Sequence, residues 1–400
     1  MIKVAVLGYG TIGSGVVEVL ERNKDHITQT AGEEIEVKYV LDLRDFPGDS
    51  IQEKIVHDYK VIENDPEIAI VVEAMGGVEP AYTFVKAALL AGKHVTTSNK
   101  ALVAKHGAEL LAIAKERDIN FLFEASVGGG IPIIRPLITS LSADIVEEIT
   151  GILNGTTNYM LTKMSVKGSD YNEVLKDAQA KGYAEADPTA DVEGYDACRK
   201  IAILTSLVCG KTVDFEQIHT EGISKITPID IAYAKAMGRS IKLLATSKLE
   251  GDSYWAMVAP FMLSEEHPLG NVNDVFNAIF VHGNMLGDAM FYGSGAGKLP
   301  TASAVAADIV DIAKHLKRNI MITYSEEKLT LLDYKKAENS YFVRTKKNEM
   351  DAKEVFGDIA LIKIKEAPDE TAFVTGKMSE ETYLQKAEEL GDILQMIRMG

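Results

Sequence analysis

The sequence predicts an α/β protein: an N-terminal doubly wound (Rossmann) parallel sheet, an α+β region after it, and a βαββαβ, ferredoxin-like tail. Three observations carry this reading. Over about residues 1–130, apolar strand-like runs alternate with helical segments. A glycine-rich turn directly follows the first run. From residue 341 the order becomes strand, helix, strand, strand, helix, strand. Continuous apolar strands separated by helices indicate a parallel sheet covered on both faces.

The elements follow in order. IKVAVL (2–7) is a strand, GYGTIGSG a turn and VVEVLERN a helical run. EVKYVLDL (36–43), IAIVVEAM (68–75), HVTTSN (94–99) and INFLFEAS (119–126) read as further strands. Helices are expected from about Pro80 to Ala91 and over 101–117, and the last strand ends in a glycine loop, VGGGIP. Residues 144–164 read as strand, turn, helix; YWAMVAPFML and VFNAIFVHG are strands. The glycine cluster GSGAG (293–297) precedes an amphipathic helix, about 298–320, that returns to the first domain. Residues 131–297 form the substrate region, polar residues 330–340 a linker and 341–400 the tail domain.

At 400 residues the chain exceeds one ordinary core, which fits two or three domains. A formal charge of −17 repels phosphate backbones and anionic lipid, which argues against nucleic acid and membrane partners. No apolar run approaches a membrane span. A strand at the very start leaves no room for a signal peptide. Cys198 and Cys209 lie on one expected helix, where they cannot bridge each other. They read as reduced thiols in a cytoplasmic protein.

Gly8, Gly10 and Gly13 form G-x-G-x-x-G between a strand and a helix, the context of a dinucleotide site. Gly8 allows the tight turn, Gly10 the approach of a pyrophosphate, and Gly13 close helix–strand packing. Thr11 and Ile12 supply N–H groups at the helix N-terminus. Asp42 ends the second strand, where an acid contacts the ribose hydroxyls of NAD. Arg44 suits the 2′-phosphate of NADP, so the coenzyme is NAD or NADP; ordinary loop charges are the alternative. AMGG (74–77) and TSNK (97–100) fall at strand ends, where ligands lie in open α/β sheets. Lys100 either faces that crevice or is a solvated lysine. A cation is unfavourable at a helix N-terminus, which tilts towards function.

GYAEADPTADVEGYDACRK (182–200) gathers Glu185, Asp187, Asp191, Glu193 and Asp196 before Lys200. Asp196 and Lys200 are four apart and share a helix face. Such a pair is often only a surface ion pair. At the mouth of a domain it can bind a zwitterion and move a proton.

The motifs GYGTIGSG, TSNKALVA, FEASVGGGIPII, GILNGTTNYML, GYAEADPTADVEGYDACRK and GSGAGKLPTASAV, in that order, resemble the homoserine dehydrogenase family over almost the whole chain. The resemblance implies NAD(P)-dependent interconversion of L-homoserine and L-aspartate 4-semialdehyde, on the route to threonine, methionine and isoleucine. It implies Lys200 as proton donor and Lys100 as a second lysine that shares that role or holds the substrate. Glu185 and Asp196 resemble the substrate-binding acids. Asp191 matches another, with a helix N-cap as the equal alternative, and Asp187 reads as a turn residue. Gly182, and with it Gly155 and Thr156, lies on the nicotinamide side; the GSGAG cluster, ending at Gly297, faces the cofactor. EASVGGGI resembles a sodium or potassium site, with a Glu124 carboxylate and carbonyls of Val127, Gly129 and Ile131; the alternative is a glycine hinge. A homodimer or homotetramer is implied. Many members carry a C-terminal ACT domain, and the tail has its element order. Where such domains show a Pro-Gly stretch this chain has KKNEMDAKEV, which puts threonine control in doubt. The alternative is that the tail only mediates subunit contacts, and it is expected to be removable after about residue 335 without loss of the chemistry. The other readings are a dehydrogenase of another semialdehyde and a non-catalytic sensor on the same fold. Lys200, Lys100, Glu185 and Asp196 together argue against the sensor.

Overall fold

The computed structural model describes residues 1–321 and 324–400. Six strands, β1 (Ile2–Leu7), β2 (Ile35–Leu41), β3 (Ile55–Val56), β4 (Ile68–Glu73), β5 (His94–Thr97) and β6 (Phe121–Leu122), form one sheet. Their order is β3-β2-β1-β4-β5-β6, and every pairing is parallel. The order reverses between β1 and β4, which places the ligand crevice outside their carboxyl ends. Val4 to Leu7 and Ile70 to Val72 are fully buried, which is why these strands read as unbroken apolar runs.

The strand expected over 119–126 is shorter. Only Phe121–Leu122 pairs, and Ala125–Gly128 is a helical turn. There the Ser126 backbone and hydroxyl both donate to the Phe123 carbonyl, which bends the chain away from the sheet. The helix Lys298–Lys314 lies against α1 (Thr11–Arg22). A Cβ at Gly15 would sit 3.0 Å from Ala302 Cβ, so the two helices meet at glycine spacing.

The second sheet is mixed. Gly287–Ser294, Phe276–Gly283, β7 (Val146–Ile152), Arg239–Glu250 and Ser253–Ser264 lie side by side in that order. Arg239–Glu250 and Gly287–Ser294 were not anticipated, nor was the helix Tyr171–Ala180. The sheet then continues into the tail through Ile393–Met399, Tyr341–Thr345, Thr371–Thr375 and Ile359–Ile362. Within the tail this is the fourth, first, third and second strand, the ferredoxin-like order.

The tail is packed against the region before it. Arg398 pairs in register with Phe261, and its guanidinium, 1% exposed, meets Glu221 at 2.7 Å and Glu380 at 2.6 Å. Arg344 reaches back to Asp230 at 2.6 Å. Residues 330–340 are packed rather than a free linker. Leu332 N–H donates to the Tyr254 carbonyl, Tyr334 stacks on His219 at 4.0 Å, and Ala337 is buried. Cutting after residue 335 would leave the buried Asp230 carboxylate without Arg344 and the half-buried Glu221 without Arg398, so the tail contributes to the packing of the region before it. Among the described residues no helix is long and apolar enough to cross a membrane.

Candidate active site

Gly8 turns the chain at φ +93°, and a Cβ at Gly13 would lie 1.8 Å from the Gly8 carbonyl oxygen. Only glycine fits that contact. Nothing lies within 4 Å of a Cβ built on Gly10, so the loop is open where a pyrophosphate would approach. α1 starts at Thr11 without a side-chain cap, which leaves the first-turn N–H groups of Thr11 and Ile12 available. These residues fit a dinucleotide. Asp42 accepts the Tyr9 N–H at 2.8 Å and pairs with Arg44 at 3.0 Å. The Arg44 hydrogen bond holds its carboxyl well below the usual range. Arg44 itself stays exposed beside the loop.

Facing this loop, one crevice gathers Lys100, Asp191, Asp196, Lys200, Glu185 and Gly182. Gly129, Gly155, Thr156 and Gly297 also line it. Asn99 caps the helix Lys100–Glu116 by accepting the Leu102 N–H, which sets Lys100 at the helix start. The Lys100 ammonium pairs with Asp196 Oδ1. Lys200 Nζ donates to Asp196 Oδ2 and to the Leu153 carbonyl, both at 2.7 Å. Asp196 is thus a buried carboxylate between two ammonium groups. Burial opposes its charge, but Lys200 and Lys100 overcome this and hold its carboxyl well below the usual range. Burial lowers the proton affinity of Lys200 against the pull of Asp196, and Lys100 adds repulsion. Burial raises Asp191, with Asp196 adding to the effect.

Other expectations resolve locally. Gly194, at φ +83°, starts the helix Tyr195–Cys209, so Asp191 is not its N-cap. Asp187 accepts the Thr189 N–H and hydroxyl, a turn. Glu185 stands exposed at the rim. Cys198 and Cys209 are free thiols; the Cys198 thiol donates to the Phe215 carbonyl.

Glu124 does not fit as a carboxylate ligand. Its Oε1 accepts the N–H groups of Ile133 and Ile134 at 2.6 and 2.8 Å, and its Oε2 that of Arg135 at 2.7 Å. Of the other three residues, Val127 and Gly129 line the crevice, while Ile131 is buried. A Cβ at Gly129 would fall 2.3 Å from the Gly295 carbonyl oxygen, and Gly130 N–H donates to the Ser294 carbonyl. The glycines here let the two crossings between the halves touch.

Two residues escaped the sequence. Glu73, fully buried, accepts the Met75 and Gly76 N–H groups and the Thr97 hydroxyl. It ties AMGG to TSNK; a lone Glu inside an apolar strand was the available signal. Asn154 donates to Asp191 Oδ1 at 2.8 Å and to Asp196 Oδ2 at 3.0 Å.

Residues 8–124 match the homoserine dehydrogenase NAD-binding domain, and residues 132–310 match the homoserine dehydrogenase family. The chain is 44% identical over 326 residues to the homoserine dehydrogenase of Bacillus subtilis, spanning 80% of this chain and 74% of that protein. A crystal structure of a homoserine dehydrogenase from Thiobacillus denitrificans aligns with a TM-score of 0.92 at 35% identity, over 100% of this chain and 98% of that one. A hyperthermophilic archaeal homoserine dehydrogenase in complex with NADPH aligns with a TM-score of 0.67 at 27% identity, over 78% of this chain and 97% of that one. The glycine loop, the lysine–aspartate–lysine cluster beside it and these matches converge: the chain belongs to the homoserine dehydrogenase family.

Proposed function

We propose that Lys200 moves the proton in the interconversion of L-homoserine and L-aspartate 4-semialdehyde, while Lys100, Asp191 and Glu185 hold the amino-acid substrate. The observation that carries this is Asp196 buried between Lys100 and Lys200 in the crevice beside the glycine loop. NAD or NADP, when bound, gives or takes the hydride. Towards homoserine, the Lys200 ammonium gives its proton to the aldehyde oxygen as the carbon gains hydride. Towards the aldehyde, the neutral Lys200 amine takes the hydroxyl proton. A buried lysine with a lowered proton affinity suits both directions. Both Asp196 oxygens are engaged by lysines, so it orients them. Asp191 and the rim acid Glu185 attract the substrate ammonium.

Copies of the chain associate through the edge strand Gly287–Ser294, in this reading. Met290 and Tyr292 are exposed there, beside Phe276 on the neighbouring strand. Unpaired strand edges invite such pairing. The free thiols suit the cytoplasm.

The test is Lys200→Ala with L-homoserine and each coenzyme. A fall in kcat of about 10²–10⁴-fold is expected, with coenzyme affinity nearly unchanged. Near-normal turnover would remove Lys200 from the mechanism.

A further inference from the structure

We propose that Asn154 is a positioning residue: its side-chain amide bridges Asp191 and Asp196, giving one N–H to each and holding Asp191 ready for the substrate ammonium. This rests on the reading that Asp196 and Lys200 form the proton-handling pair.

The orientation of the amide follows from the helix it starts. Asn154 Oδ1 accepts the Thr157 N–H at 2.9 Å, capping Gly155–Lys167. Nδ2 must then face the other way, and its two protons meet two carboxylates. Asn154 is 6% exposed, so water is a poor substitute.

The two acids are treated unequally. Both lysines sit on Asp196. Asp191 has neither; among the described residues Asn154 is the one side chain that hydrogen-bonds it. The charged groups facing Asp191 are Asp196 and Lys200 from the helix Tyr195–Cys209 and Lys100 from the helix Lys100–Glu116. Asp196 repels it at close quarters, and two neighbouring carboxylates resist joint ionisation. The amide relieves this by donating to both. Without it Asp191 takes up a proton more readily and loses its attraction for an ammonium.

The cap and the bridge can be separated. Serine and aspartate are both good N-caps, but neither carries an amide donor. Asn154→Ser and Asn154→Asp therefore keep the helix start and remove the bridge. In homoserine oxidation, Asn154→Ser should raise KM for homoserine about tenfold or more, the scale of a lost hydrogen bond to a charged group. The acid limb of its kcat/KM profile should move to higher pH. Coenzyme affinity should stay unchanged. Asn154→Asp, which adds a third carboxylate, should move the limb further. Wild-type KM and pH profile in either variant would overturn the proposal and leave Asn154 as a helix cap. Lys200→Ala measured alongside distinguishes the two failures. Normal turnover there defeats the underlying mechanism. Loss of turnover there with unchanged Asn154 variants defeats this inference alone.

Discussion

At the scale of single residues, chemistry with a local partner could be read from the sequence, and chemistry with a distant partner could not. Asp196 and Lys200 announce each other by helical spacing. Asn154 and Asp191 are 37 positions apart, and an asparagine before a helix already has a sufficient explanation as a cap. Lys242 was hidden in the same way, inside a strand of mixed composition. It is 2% exposed and donates to the Val272 carbonyl and the side chains of Asn158 and Asn273. Burial pushes its ammonium down to about 8. Lys242→Met would take the ammonium away from the buried Asn158 Oδ1 and should cost about 1–3 kcal/mol. The pH dependence has a definite sign. Below about 8 the fold carries the burden of a buried charge. Between there and the ordinary lysine value the unfolded chain binds more protons, so this group's contribution to stability grows with pH. Urea unfolding at pH 7 and pH 9.5 should show the gap between wild type and variant widening. A gap that stays constant or narrows would mean the amine is not desolvated.

At the scale of elements, the parallel sheet was legible because burial on both faces makes β1 and β4 apolar at every position but Lys3 and Glu73. Arg239–Glu250 escaped because polar residues are buried on both of its faces, Lys242 and Thr246 on one and Ser247 on the other, so neither period stands out. The strand expected over 119–126 failed because apolar residues also fill the buried turn Ala125–Gly128. The glycine loop is the most demanding element. Gly13→Ala would drive a methyl into the Gly8 carbonyl, which belongs to backbone and cannot swing aside. The loop must open, and coenzyme affinity should fall at least about tenfold while the fold persists. Gly10→Ala meets no protein atom, so its effect should appear only on coenzyme binding. Fluorescence titration with the reduced coenzyme separates the two from a thermal melt.

At the scale of the whole molecule, the order of elements was legible in the sequence and the contacts that join the tail to the rest were not. The βαββαβ order was visible, yet the pairing of Phe261 with Arg398 joins strands 137 positions apart and leaves no local trace. Arg398→Met should cost about 3–5 kcal/mol, because the buried Glu380 carboxylate would be left without its cation. A lowered melting temperature in the intact chain checks this, and unchanged stability would make the tail a passive neighbour. The helix Lys298–Lys314 has a consequence of another kind. It covers α1, although nearly three hundred residues separate the two in the sequence. A ribosome releases the nucleotide-binding strands early and their covering helix only after three-quarters of the polypeptide has emerged. Domains generally mature as units during synthesis; here the first to appear must wait, partly uncovered, for a late segment to finish it.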